Sequence, residues 1–389
     1  MGFLMAGSRT IGSLLLAVLI AAASGCSGVR LNKALSPGPS DWTMYGGGPT
    51  RANAMGTHVL PPFEFLWEYN AQAGLSATPL VSDSTMIVGT LHGEIQAVDL
   101  RTGRRLGYKT LEQPIVGTPA LDGSRVILPL SGPEQSLVCL DLAGGREVWA
   151  ADLGPVESSP LVLGDHVYIT TLRGTVHCID KDGGNEIWSF NSGTKDRREA
   201  IRSSPAVEGR VLAFGSDDHS LYGLDRERGI LLWKTPTGAS VFATPLMANG
   251  LVIAGNLAGD VFALDALTGA VRWKYQTGSK VYASASVFQE TVFIGCANGV
   301  LHALDTASGA LRWTFSTGSV IGSPALAAGS LVYVGTLNKR LYALDAATGK
   351  ERWSYEAEGR IRVSPVLWGD ILLVTSEDKY ITALKAKGP

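Results

Sequence analysis

One spacing constrains the fold of this chain more than any other. An aspartate, a tight turn and, eight positions after the aspartate, a tryptophan recur along most of the sequence. The aspartates are Asp99, Asp141, Asp180, Asp225, Asp265, Asp305 and Asp345. Their intervals run from 39 to 45 residues, and one further step of 40 lands on Lys385, in Ile381-Thr382-Ala383-Leu384-Lys385, an eighth copy without its acid. The tryptophan slot holds Trp149, Trp188, Trp233, Trp273, Trp313 and Trp353, with Gly107 as the exception, while Trp67 stands ready to serve the eighth copy from the other end of the chain. Self-similarity at such a period marks an array of supersecondary units, each burying its apolar faces against its neighbours.

Within a unit, apolar residues alternate between Gly, Asn and Asp breaks. In the fifth copy a strand near Pro245 is followed by strands over 251–255, 260–264 and 271–275. Four short strands in about 40–45 residues, repeated, predict a propeller blade. The expectation is an all-β, eight-bladed β-propeller with four-stranded blades. Residues 63–70 close the last blade, whose other strands come from 361–385, and so remove the open edge of the ring. Composition agrees: 17% of residues are charged, 45% are hydrophobic and 47 of 389 are glycine. Disorder needs the opposite balance of charge and hydrophobicity. A net charge of −2 gives no electrostatic footprint for nucleic acid.

The recurring residues have structural jobs. A proline slot behind Ser or Thr reads as Pro79, Pro119, Pro160, Pro205, Pro245, Pro324 and Pro365, with Ala285 the exception. Proline donates nothing to a ladder and suits the innermost strand, an edge facing the central channel. The aspartates stand where strand meets turn, where a carboxylate accepts turn N–H groups. Indoles fill the wedge between blades. Cys139 and Cys178 share a slot otherwise held by Ala or Gly and read as buried packing groups, and Cys296 stands alone. Six histidines without paired spacing predict no metal site, and three consecutive residues such as Asp217-Asp218-His219 cannot all aim at one ion.

The start of the chain reads as an address. Arg9 precedes an apolar run from Ile11 to Ala23, too short to span a bilayer, which takes about 20 helical residues. A charged start, a short apolar middle and small residues describe an export signal. Ala23-Ser24-Gly25-Cys26 resembles the bacterial lipoprotein signal, which implies cleavage before Cys26 and its lipidation. The alternative is an ordinary secretory signal with Cys26 an incidental thiol. Ser27, which is not aspartate, resembles the outer-membrane sorting choice of Gram-negative lipoproteins. The expected organisation is a signal peptide at 1–25, a tether and lead-in at 26–60, and the propeller at 61–389.

The pattern Ala-Leu-Asp-x-x-Thr-Gly-x-x-x-Trp, complete at 263–273 and 343–353, resembles the tryptophan-docking repeat of PQQ-like (quinoprotein-type) propellers. Residues 41–47 are similar to the lead-in before the first blade in that family. Two branches carry different implications. Quinoprotein dehydrogenases hold pyrroloquinoline quinone beside calcium and oxidise alcohols or sugars, and many stack the cofactor on a disulfide between adjacent cysteines. Here Cys26, Cys139, Cys178 and Cys296 are scattered, and no loop clusters the Asp, Asn and Glu that calcium prefers. Neither cofactor nor metal is expected. The other branch, the BamB-type lipoproteins of outer-membrane protein assembly, implies a non-enzymatic scaffold, anchored at the periplasmic face of the outer membrane and binding protein partners. Its members dock through an arginine before one Ser-x-Pro corner and an acidic pair before the next Thr-Pro corner. Arg202-Ser203-Ser204-Pro205 supplies the first, but Ser240 and Phe242 stand in the acidic slots. A small quinoprotein oxidoreductase and a ligand-binding periplasmic propeller remain the alternatives.

One connection breaks the repeat. Most units take 11 or 12 residues from the tryptophan slot to the proline slot, whereas Trp188 to Pro205 takes 17. The surplus lies in 191–202, where Lys195, Arg197, Arg198 and Arg202 outnumber Asp196 and Glu199. An insertion carrying forked guanidinium donors is the expected partner contact, through Lys195, Arg197, Arg198, Glu199 and Arg202; the plain alternative is a solvated loop. By topology it shares a face with His92, Arg173, Asp217, Asp218, His219, Lys339, Arg340, Asp378 and Lys379.

Overall fold

The computed structural model describes residues 31, 35, 38, 41–56, 59–132, 135–193 and 199–387. Eight sheets stand around a central channel, each with four antiparallel strands in simple up-and-down order, and that of blade 7 gains a fifth, parallel strand. Blades 1 to 7 span residues 80–110, 120–151, 161–191, 206–236, 246–276, 286–316 and 326–356. Blade 8 takes Val366–Trp368, Ile371–Thr375 and Tyr380–Ala386, and Phe63–Asn70 pairs with the last of these as its outermost strand. The ring is closed by joining N- to C-terminal sequence, as the stray Trp67 predicted.

Six of the eight seams use the same chemistry. The indole N–H of Trp233 donates to the carbonyl of Ala266, the residue after Asp265 in the next blade, at 2.8 Å. Trp67, Trp149, Trp188, Trp273 and Trp313 make the equivalent bonds to Leu100, Lys181, Arg226, Thr306 and Ala346. The indole also lies on the glycine of the next blade's turn. That glycine holds a positive φ, as Gly269 does at 70°, and a Cβ there would lie 2.7 Å from the Trp233 ring. Two constraints therefore converge on one residue, and only glycine meets both.

The aspartates hold turns, as expected. Asp265 accepts the N–H groups of Leu267 and Thr268 and the Thr268 hydroxyl. A further partner went unnoticed in the sequence: Arg272, Arg312 and Arg352, seven residues on, each donate to the second carboxylate oxygen at 2.6–2.8 Å.

The proline slot needs one correction. Innermost strands begin at Leu246, Ser286, Leu326 and Val366, so Ala325 occupies the slot and Pro324 stands one residue early. It displaces a hydroxyl that matters elsewhere. Around the channel the backbone N–H groups of Thr78, Thr118, Ser159, Ser204 and Thr244 each donate to the hydroxyl of the next blade, ending at Ser284, at 2.9–3.0 Å. Pro324 is the next position, and the chain of bonds stops there.

Residues 41–55, assigned from sequence to tether and lead-in, are woven into the ring. Trp42 exchanges two backbone bonds with Val81 of blade 1. The N–H groups of Leu121, Val207, Met247, Val287 and Ala327 then donate to the carbonyls of Thr43, Pro49, Thr50, Ala52 and Asn53. Ala54–Met55 adds a parallel strand to blade 7, and Trp368 of blade 8 donates to Asp41. The segment thus caps edge strands that would otherwise expose free donors. Blade 3 is reached by a side chain. Arg51 is fully buried and donates to the carbonyls of Pro205, Tyr45, Ser159 and Pro160. Burial pulls its pKa down to about 9, so the guanidinium stays charged at neutral pH.

Candidate functional site

Turns between second and third strands and the crossings from blade to blade lie on one face. Backbone bonds such as Leu91 to Gly74, Leu172 to Pro155 and Asp217 to Ala200 tie the two sets together. The channel opens on this face. Its cavity, about 200 Å³, is lined by the hydroxyls of Thr78, Thr118, Ser159, Ser204, Thr244 and Ser284, with Tyr45 of the lead-in among them and Glu157, Arg202, Tyr282 and Arg362 nearer the mouth. The Tyr45 hydroxyl donates to Ser284 at 3.0 Å, which fixes the ring across the channel.

Arg202 is the hub of the mouth. Its Nη1 donates to Glu157 of the preceding crossing at 2.7 Å and its Nε to Asp217 at 3.2 Å, while the guanidinium sits 5.4 Å from the Phe242 ring centroid. Burial works against the charge, but the two carboxylates hold the pKa above its ordinary value. Burial raises Asp217 despite Arg202 beside it. Next to it Asp218 accepts from the Tyr222 hydroxyl and, at 2.9 Å, from Lys234. Burial opposes this carboxylate too, yet those bonds keep its pKa below the usual range. Ser192, Gly193, Glu199, Asp217, Asp218, His219 and Lys234 surround a cleft of about 620 Å³. Across the mouth a larger cleft of about 870 Å³ is more apolar, with Leu75, Leu91, Tyr282, Val320 and Leu337 beside Arg362, Glu377 and Asp378. Two of its large apolar side chains, Leu91 and Tyr282, are exposed.

Of the predicted contact residues, the structure places Glu199 and Arg202 together on the mouth face. Lys195, Arg197 and Arg198 lie outside the described residues, as does Cys26. Asp217 and Asp218 turn to different partners, and among the described residues no three His, Cys, Asp or Glu side chains gather around a common point. Cys139, Cys178 and Cys296 are buried free thiols, and burial pushes the first two up to about 12. Sequence reasoning missed Phe242 as a ring under Arg202, and Glu157 and Asp217 as its acids. Glu157 lies 45 residues away on another crossing, a distance that only the fold collapses. A chain running inward from the exposed Glu186 through His177, Thr175 and Thr171 also escaped notice; its bonds run at 2.5–2.8 Å. Thr175 is buried and its hydroxyl is committed to Thr171, so the chain braces blade 3.

The fold invites a test for quinone and calcium. Calcium takes six to eight oxygen ligands with carboxylates among them. Glu157 is the one carboxylate among the cavity-lining residues, and it is paired with Arg202. The residues at the channel do not fit such a group.

Comparison with known proteins agrees on family. The sequence profile described as outer membrane protein assembly factor BamB matches residues 91–174, 172–319 and 297–388. The curated BamB of Shewanella oneidensis is 22% identical over 188 residues, 44% of this chain and 45% of that protein, so the match spans less than half the relative's length. The crystal structure of BamB from Moraxella catarrhalis superposes with a TM-score of 0.71 at 17% identity, covering 83% of this chain and 100% of that one. A quinohemoprotein alcohol dehydrogenase from Pseudomonas putida HK5 gives 0.78 at 14% identity, covering 90% and 81%. At such identities the superpositions show a shared propeller and nothing finer. The profile spans most of the chain, and the chain belongs to the family of the outer membrane protein assembly factor BamB.

Proposed function

We propose that this protein is a non-enzymatic scaffold of outer-membrane protein assembly, anchored through a lipid on Cys26 at the periplasmic face of the outer membrane. The observation that carries the reading is the family match, joined to a mouth face that offers side chains for a protein partner. Arg202 and Phe242 form a preset platform, the Leu91 and Tyr282 cleft supplies apolar surface, and the sequence insertion adds Lys195, Arg197, Arg198 and Glu199 to the crossing that carries Arg202. Aromatic and arginine side chains over apolar pockets are what protein interfaces use as anchors. The partner in this reading belongs to the β-barrel assembly machinery.

The departure at Ser240 and Phe242 shapes the mode of docking. Where an acidic pair would draw a basic partner residue, this chain offers a ring already taken by its own arginine. Its partner contact is therefore more apolar at that corner. Charge reversal at Arg197 and Arg198, with co-purification from cross-linked membranes as readout, tests the insertion. Loss of the partner supports the contact; undiminished recovery removes the insertion from the interface.

The fold likeness to quinohemoprotein alcohol dehydrogenase keeps one enzymatic reading in view. Dye-linked oxidation of alcohols or sugars after addition of pyrroloquinoline quinone and calcium decides it. No turnover is the expected result.

A further inference from the structure

The seam between blades 1 and 2 is built without an indole. Its tryptophan slot holds Gly107, so no indole reaches the carbonyl of Leu142, the residue after Asp141. That carbonyl is nevertheless occupied. The backbone N–H of Leu31 donates to it at 3.0 Å. Leu31 packs on the core that runs through these blades, and Leu35 is 3% exposed within it. Lys109 completes the substitution by donating to Gly145 at 3.3 Å, as Thr235 does to Gly269 where the indole is present. Leu31 is therefore docked at a defined seam, on the face opposite the channel mouth.

The docked Leu31 limits how far Cys26 can lie from this seam. Cys26 is five residues before Leu31, and five residues span at most about 18 Å even when fully extended. A lipid on Cys26, the reading proposed above on which this inference rests, would hold the outer corner of blades 1 and 2 against the bilayer. The surface there suits it. Residues 100–111 carry Arg101, Arg104, Arg105 and Lys109 and no acid. The three arginines are exposed, and Leu106 between them and Lys109 is 38% exposed. Among the described residues neither Arg101 nor Arg104 has a carboxylate partner, whereas the arginines of blades 5, 6 and 7 are bonded to their own aspartates. Arg105 lies over the Tyr108 ring at 4.6 Å and hydrogen-bonds the Tyr69 side chain, neither of which neutralises its charge.

We propose that this corner of blade 1, Arg101, Arg104, Arg105 and Lys109, is a contact surface for anionic phospholipid headgroups, presented to the bilayer by the docked N-terminal segment. Each basic residue near an anionic surface strengthens binding severalfold, and the attraction fades within a Debye length. The mouth face, on the other side of the ring, is then turned away from the bilayer surface.

The test compares matched positions across the ring. Thr102 in blade 1 and Thr268 in blade 5 occupy the same turn slot. Each is changed to cysteine in the full chain, labelled with a fluorophore, and reconstituted in phosphatidylglycerol-containing vesicles carrying a headgroup quencher. Strong quenching at 102 and little at 268 is expected; equal quenching, or the reverse, overturns the orientation. A second arm uses the mature chain with Cys26→Ser and vesicles with or without phosphatidylglycerol. Sedimentation with the anionic vesicles should fall about tenfold or more in R101E/R104E/R105E and be absent with pure phosphatidylcholine. Unchanged binding by the triple variant overturns the surface. Mass spectrometry of Cys26 separates the two ideas: an unmodified thiol defeats the anchor, and the second arm then judges the basic corner alone.

Discussion

The indole of Trp233 rests on the α-carbon of Gly269 in the next blade and donates to the carbonyl of Ala266 three residues earlier. One contact thus joins a turn, a seam and a repeat. Gly269→Ala should destabilise by about 2–4 kcal/mol, combining a left-handed backbone penalty of about 1–2 kcal/mol with displacement of a packed ring. Gly250 has a similar positive φ but open space around it, so Gly250→Ala should lose only the backbone part. Denaturant unfolding of both variants checks this. Equal losses would show that the indole does not depend on that glycine.

Acid should loosen the turns. Arg272 and then the Thr268 hydroxyl hold Asp265 down at about 2, and Arg352 and Thr348 do the same for Asp345; Arg312 and Ser308 likewise depress Asp305. These folded values lie below the unfolded carboxylate value near 4. Their contribution is therefore complete above about pH 4 and is lost as pH falls through about 2. Urea midpoints from pH 5 downward should drop, and the drop should shrink in D265N/D305N/D345N. An unchanged acid slope in the triple variant would contradict the assignment.

The thiols give a simple reading of packing. With burial raising all three, Cys139, Cys178 and Cys296 should resist a thiol reagent at pH 8 in the folded protein and react together on unfolding. Fast reaction of any one in the native state would show an opening of the blade core that the structure does not contain.

Much of this architecture was legible because it is periodic. The register of aspartate, glycine and tryptophan carried the blade count, the closing strand and the purpose of the repeat residues. What failed to show was whatever lacks a period. The lead-in contacts eight blades mostly through backbone groups, which leave no side-chain signature. Its sharp bend at Gly46 and Gly47, both with positive φ, was the available hint: a Cβ on Gly46 would meet the Arg51 backbone, and one on Gly47 the Trp42 ring. The Pro324 slip came from matching Ser323-Pro324 to Ser364-Pro365, a likeness of dipeptides that strand register overrules. At the mouth, Phe242 and Glu157 converge on Arg202 from separate crossings, and no linear spacing announces that.

Arg51 should be the pin of the lead-in. Replacing it by alanine strips four carbonyls of their donor, and each buried acceptor left unsatisfied costs about 1–3 kcal/mol. Limited proteolysis should then cut between 41 and 56, where the unaltered chain is protected. Protection equal to that of the unaltered chain would assign the hold to the backbone bonds alone.

The scaffold role is tested most directly by affinity purification of the acylated protein from cross-linked outer membranes, beside the R197E/R198E variant. The expected result is recovery of β-barrel assembly proteins with the unaltered chain and marked loss with the variant, at equal thermal stability. Recovery of no assembly protein, in membranes where Cys26 is acylated, would contradict it.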